Sequence, residues 1–216
     1  MPERNSRNQK NTEADLGTIG KIMSKIIIFD LGNVLCNSDS PMAENEVFEK
    51  TGVNLLAIKD KKFTKGKISP EEYFKNSIKL SKVKISARKL MTAYKQAYLK
   101  AAILKPDMIK LVKILHKHYK VVLLSNINDT HWQINKKRGI PNLFDTCFTS
   151  CELGITKDDV RTFNIITKKL NAKPEDCIFI DDKEGHVARA KSIGIDAIQF
   201  KSYEQLVKEL KVRKII

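Results

Sequence analysis

Four short stretches place chemically capable residues directly after apolar runs. Residues 25–35 read KIIIFDLGNVL, and the apolar run ends in Asp30. VVLL at 121–124 is followed by Ser125 and Asn126, and CIFI at 177–180 by Asp181 and Asp182. CFTS at 147–150 leads into a loop that carries Lys157. A nucleophilic carboxylate, a hydroxyl, an ammonium and a carboxylate pair together suit Mg²⁺-assisted phosphoryl transfer through an aspartyl-phosphate. Mg²⁺ takes hard oxygen ligands, commonly one or two carboxylates with water and phosphate. Asp30 and Asp182 can supply them. A carboxylate approaches a dianionic phosphate only if charge is offset, and Lys157 and the metal offset it. Ser125 and backbone N–H groups can hydrogen-bond the equatorial oxygens, where transition-state charge gathers. Gly32 stands two residues past Asp30 and offers no side chain for acid–base work.

These residues converge only if the runs are neighbouring parallel strands. Lys25–Phe29, Tyr119–Leu124, Thr146–Thr149, Cys177–Ile180 and Ile195–Phe200 are short, apolar and bounded by polar turns, as buried strands are. Helix-period segments lie around the later ones: Asp107–His118, Asp129–Arg138, Asp158–Leu170, Glu184–Ile193 and Tyr203–Lys211. Alternation of this kind predicts an α/β fold, a Rossmann-like doubly wound parallel sheet of about five strands. Ligands of such sheets bind beyond the carboxyl ends of the strands, where all four polar groups fall.

About ninety residues separate the first two strands, too many for a simple crossover. PMAENEVFEKTG, SPEEYFKNSIKL and SARKLMTAYKQAYLKAA each read as helix. Ser69-Pro70-Glu71-Glu72 is a strong helix start, with an N-cap serine, proline at the first position and acids behind it. The expected organisation is a flexible tail over 1–24, a hydrolase core over 25–38 and 104–216, and a helical cap over 39–103, inserted after strand 1. Tyr73 and Phe74 lie in that cap and are candidate specificity residues, although aromatic residues more often pack.

The motifs IIIFDLGNVL, VVLLSN, LGITK and IFIDDKEGH, in this order, resemble those of the haloacid dehalogenase-like (HAD) hydrolase superfamily over nearly all of residues 23–210. The resemblance implies a Rossmannoid core and a mobile helical cap. Asp30 then matches the nucleophile, Ser125 the phosphate-binding hydroxyl and Lys157 the lysine that holds nucleophile and phosphate together. Leu31 and Asn126 join the phosphate-binding set. Asp182 matches the metal-binding acid, with Asp181 a ligand or its support, and the backbone carbonyl of position 32 completes the Mg²⁺ set. The sequence departs from the common pattern at three places. Gly32 replaces a second aspartate, Asp158 a proline, and His186 an Asp or Asn. The D-L-G-N-V pattern resembles a branch that includes sugar-1-phosphate phosphatases. A dehalogenase fits less well, since that branch dispenses with the metal and with the acidic pair. The implied function is a Mg²⁺-dependent phosphatase of a small phosphorylated metabolite such as a sugar phosphate. The alternative is a catalytically weak HAD-fold protein that binds nucleic acid or another anionic partner.

Composition bounds the rest. The chain has 216 residues, 42% of them hydrophobic, enough for a buried core. No apolar run reaches the roughly 20 residues of a membrane helix. The first 24 residues lack the apolar segment of a secretory signal, which points to a cytoplasmic protein. Cys36, Cys147, Cys151 and Cys177 form no C-x-x-C pair and read as reduced thiols. The formal net charge is +15. Residues 40–100 hold 14 Lys or Arg against 6 Asp or Glu, a net of +8. This charge attracts anionic substrates and leaves nucleic acid open as a partner, but no interleaving of basic and aromatic residues supports the latter. His116, His118, His131 and Trp132 read as ordinary surface or core residues.

Overall fold

The computed structural model describes residues 25–37, 40–58 and 60–216. The expected tail over 1–24 lies outside the described residues. Five strands form one sheet: β1 (Ile26–Phe29), β2 (Lys120–Ser125), β3 (Thr146–Thr149), β4 (Cys177–Asp181) and β5 (Asp196–Gln199). Their order is β3-β2-β1-β4-β5 and every pairing is parallel. Order reverses between β1 and β4, so a crevice opens beside Asp30 at the carboxyl edge, where such sheets hold ligands.

Successive side chains of a strand face opposite sides, and this alternation splits the apolar residues into two layers. Ile27, Phe29, Val121, Leu123, Ile178 and Ile180 pack on one face. Helices α5 (Pro106–Leu115), α6 (Asp129–Lys137) and α10 (Tyr203–Val212) cover it with Met108, Leu111, Trp132, Leu206 and Leu210. Ile28, Val122, Leu124 and Phe179 pack on the other, under α8 (Arg161–Leu170) and α9 (Glu184–Lys191). α8 begins three residues later than the sequence pattern predicts. Residues 157–160 form a turn instead, and Asp159 Oδ1 accepts the Arg161 N–H at 3.0 Å as the helix starts. A one-turn helix, α7 (Ser150–Leu153), follows β3.

The long interval after β1 is helical. It contains α1 (Ser40–Thr51), α2 (Lys61–Thr64), α3 (Pro70–Ser81) and α4 (Ala87–Ala101). The chain leaves and re-enters the sheet layer side by side: Asn37 N donates to Ile103 O at 2.8 Å and Lys105 N to Leu35 O at 2.9 Å. The helices enclose their own apolar cluster of Val47, Leu55, Phe63, Tyr73, Phe74 and Leu90. Ser69 caps α3, accepting the Glu72 N–H at 3.1 Å. α2 has no counterpart among the expected helices. It is one turn long, too short to show a period, and Asp60 starts it by accepting from Lys62 N at 2.7 Å.

Candidate active site

The carboxyl edge of the sheet brings all the expected side chains to one end. Asp30 follows β1 and is held by its backbone, whose N–H donates to Ile180 O of β4 at 2.9 Å. Its Oδ1 accepts from Leu31 N at 2.7 Å and pairs with Lys157 Nζ at 2.7 Å. Lys157 Nζ also meets Asp181 Oδ2 at 2.5 Å. The lysine is 1% exposed. An ammonium is costly to bury unless paired, and here two carboxylates offset the cost. Asn126, just after β2, accepts from Lys157 N at 2.9 Å through Oδ1 and so anchors the lysine's backbone. Ser125 is buried at the end of β2, the strand beside β1.

Asp181 has little coordinating capacity left. Besides Lys157, its carboxylate accepts from Lys183 N at 2.8 Å and faces His186 Nδ1 at 3.0 Å. Asp182 is half-buried, and its Oδ2 accepts from Asn33 Nδ2 at 2.9 Å. Asn33 adopts a left-handed backbone, φ 59°, which turns the chain back just after Gly32. Ligand atoms of Asp30, Asp181 and Asp182 all lie within 4.8 Å of one another. Such an acidic cluster, with hard oxygens only, fits a divalent cation of the Mg²⁺ kind. Asp30 and Asp182 are the better donors, since Asp181 serves Lys157 and His186.

The charges respond to this setting. Burial pushes the Asp30 carboxyl up to about 6, Lys157 opposes the rise, and Asp181 adds to it. Burial opposes ionisation of Asp181 too, but hydrogen bonding to His186 and the charge of Lys157 hold it down at about 2. Burial alone would lower the Lys157 pKa, yet Asp30 and Asp181 outweigh burial and raise it. Lys157 therefore stays an ammonium, and Asp30 takes up a proton more readily than Asp181.

A cavity of about 510 Å³ opens over the site. Leu31, Gly32, Asn126, Asp158 and Lys183 line its sheet end, and Glu44, Asp60, Phe63, Tyr73, Tyr94 and Tyr98 line its helical end. Of the two aromatic candidates from sequence, Tyr73 reaches the cavity and stacks on Phe63 with ring centroids 4.0 Å apart. Phe74 is fully buried in the helical cluster and is not among the cavity's lining residues.

Sequence reading noted His186 and Asp158 only as departures from a pattern. The structure joins them: His186 Nε2 lies 3.3 Å from Asp158 Oδ1, while Nδ1 faces Asp181. A carboxylate therefore faces each ring nitrogen. A link thus runs from the cavity rim at Asp158 through His186, Asp181 and Lys157 to Asp30. The spacing offered a signal, because His186 sits in the first turn of α9, five residues past Asp181. His131, read as an ordinary histidine, lines the cavity and stacks between Tyr94 and Tyr98.

An open parallel sheet with Asp, Ser, Lys and an acidic pair at its carboxyl edge, roofed by helices inserted after β1, defines a Rossmann-like hydrolase. The sequence model of the haloacid dehalogenase-like hydrolase family matches residues 24–194, and the chain belongs to that family. It is 28% identical over 198 residues to D-ribitol-5-phosphate phosphatase of Bacteroides thetaiotaomicron, covering 82% of this chain and 92% of that one. It is 26% identical over 192 residues to drimenol cyclase drtB of Aspergillus calidoustus, covering 87% of this chain. The match spans only 36% of the cyclase, so this chain corresponds to about a third of that relative. A HAD family enzyme of Bacteroides thetaiotaomicron, crystallised with magnesium and inorganic phosphate, shares the fold with a TM-score of 0.73 at 23% identity. That likeness covers 85% of this chain and 98% of the other. Among the described residues no helix is long and apolar enough to cross a membrane.

Proposed function

We propose that this hydrolase is a Mg²⁺-dependent phosphatase of a small phosphorylated metabolite, such as a sugar or polyol phosphate. The observation that carries the reading is Lys157, buried and clamped between Asp30 and Asp181, with Asp182 in the same cluster. The named activity of the ribitol-5-phosphate relative agrees with it. Helices 40–101 then act as a cap over the cavity.

In this reading the Asp30 oxygen not held by Lys157 attacks phosphorus, and the bond from phosphorus to the leaving oxygen breaks. Lys157 neutralises the carboxylate that must approach a phosphate dianion. Ser125 and the N–H group of Asn126 hold the equatorial oxygens, while the Leu31 N–H stays on Asp30 Oδ1. Mg²⁺, when bound, would be held by Asp30, Asp182 and the Gly32 carbonyl and would further neutralise the phosphate's charge. Asp181 orients Lys157 rather than the metal. The leaving alkoxide takes its proton from water, because position 32 has no side chain. Water then attacks the phosphorus of the aspartyl-phosphate, inorganic phosphate departs, and the Asp30 carboxylate returns. Lacking the acid, the site turns over fastest the esters whose leaving group departs readily, such as an anomeric hydroxyl or an acyl carboxylate, and releases the alkoxide of a polyol phosphate more slowly.

The test is phosphate release from a panel of sugar and polyol phosphates, nucleotides and an aryl phosphate, with Mg²⁺ or with EDTA. Turnover that needs the metal and disappears in Asp30→Asn is expected. Silence across the panel from folded protein overturns the reading.

A further inference from the structure

Two part-buried polar contacts tie the helical roof to the same short stretch, residues 125–128, where the chain leaves β2 at the site. The first passes through Ser150, the first residue of α7. Its Oγ accepts from Ile127 N at 2.9 Å. The hydroxyl has one proton to give, and the shorter of its two acceptor contacts is Thr64 O of α2, at 2.8 Å against 3.2 Å for Ile127 O. The second passes through Asn128. Its Oδ1 accepts from His131 N at 3.0 Å as the cap of α6, which fixes the orientation of the amide. Its Nδ2 then faces Tyr94 Oη of α4 at 3.0 Å and His131 Nδ1 at 3.3 Å.

His131 clamps this second tie. Tyr94 and Tyr98 stand one turn apart on α4 and grip the imidazole between their rings, with centroids at 4.4 and 3.7 Å. Asn135 of α6 adds a bond from Nδ2 to Tyr98 Oη at 2.7 Å. The first tie has its own close fit. An added Cβ on Gly66, just past α2, would lie 2.1 Å from the carbonyl oxygen of Cys151, the neighbour of Ser150. His131 Nε2 and Asn135 Oδ1 are buried without a protein partner. Both gain hydrogen bonds from water if α4 and α6 part, so nothing at these two atoms opposes release.

We infer that Asn128 and Ser150 are positioning residues that make the phosphate-binding loop 125–128 depend on the docking of α2 and α4, with the Tyr94–His131–Tyr98 stack as the clasp. The inference rests on the phosphatase reading of the site. Docking of the roof and binding of phosphate are then coupled, and each favours the other by the same factor. The roof does more than touch the leaving group, because it sets the loop that holds the phosphoryl oxygens.

Inorganic phosphate tests this, since it has no leaving group to touch the roof. Its affinity is measured by calorimetry in the presence of Mg²⁺ for wild type, Tyr94→Phe, Ser150→Ala and Gln96→Ala. Tyr94→Phe removes only the hydroxyl that Asn128 reaches, and Gln96→Ala alters the exposed side of the same helix. Phosphate affinity is expected to fall about five- to tenfold in Tyr94→Phe and in Ser150→Ala, as for loss of one hydrogen bond. Gln96→Ala is expected to match wild type, and Mg²⁺ affinity without phosphate to stay constant in all four. Wild-type phosphate affinity in both Tyr94→Phe and Ser150→Ala overturns the inference while leaving the phosphatase reading intact. Failure of the wild type to bind phosphate at all overturns both.

Discussion

At the scale of single residues, Asp30 carries a cost that the proposed role of nucleophile explains. Burial raises its pKa from an ordinary 3.8 to about 6, so the folded state holds this proton more tightly than the unfolded chain. The favourable contribution is complete below about pH 3.8 and is lost as pH rises through about 6. At neutral pH the metal-free protein therefore bears a buried carboxylate that folding disfavours. Asp30→Asn is expected to raise the melting temperature of metal-free protein at pH 7.5 by several degrees, with the gain shrinking toward pH 4. The same substitution should abolish stabilisation by Mg²⁺. Calorimetry over that pH range decides it, and a lower melting temperature at pH 7.5 would show that the bond to Lys157 outweighs burial. Gly32 yields a second expectation. Gly32→Asp returns an acid to the cavity, and general acid–base help is worth about 10²–10⁴-fold. Turnover of an alkyl phosphate should rise by at least tenfold, that of an aryl phosphate far less, and Mg²⁺ affinity should hold, because a backbone carbonyl survives any substitution. Loss of Mg²⁺ binding would refute the carbonyl as a ligand. Asp30, Ser125 and the Asp181–Asp182 pair were legible because each follows an apolar run, and Lys157 because it lies in the loop beyond CFTS. The partners of His186 were not, since Asp158 and Asp181 lie 28 and 5 residues away and meet it only through the fold.

At the scale of elements, legibility followed length and periodicity. β1 to β5 were marked by apolar runs with polar ends, and α3 by its Ser69-Pro70 start, a device that works locally and so shows in sequence. α2 and α7 have four residues each, too few to repeat a pattern, and long-range contacts hold them in place. Those contacts make α2 sensitive to the residue that follows it. Gly66 has φ +63°, a conformation costly for a residue with a Cβ, and the Cys151 carbonyl occupies the Cβ position. Gly66→Ala is expected to lower the melting temperature and to push α2 off α7, weakening the Ser150–Thr64 bond. Hydrogen exchange should then quicken in residues 60–66 and 127 while the β1 amides keep wild-type protection. Uniform loss of protection across the sheet would mean that Gly66 supports the whole fold rather than this junction.

At the scale of the molecule, the doubly wound sheet was legible because alternation of strands and helices leaves few other topologies, and a ninety-residue interval between the first two strands had to be an insertion. The cavity between insertion and sheet was not legible, since its walls come from residues 31 to 183, and which aromatic faces it depends on packing. The formal charge of +15 acts at this scale. Lysines crowd the helices around the cavity, whose own lining sets Lys61 and Lys183 beside Glu44, Asp60 and Asp158. Such a field steers small anions toward the opening and is screened by salt, with a Debye length of about 10 Å at 0.1 M. The acidic cluster at the bottom is shielded from bulk ions by burial. Steering therefore affects encounter and not the chemical step. With a dianionic phosphate monoester, kcat/KM should fall severalfold between about 0.02 and 0.2 M salt while kcat changes little. A fall in kcat as well would place salt-sensitive pairs inside the site and argue against a roof that keeps Lys157 and Asp181 dry.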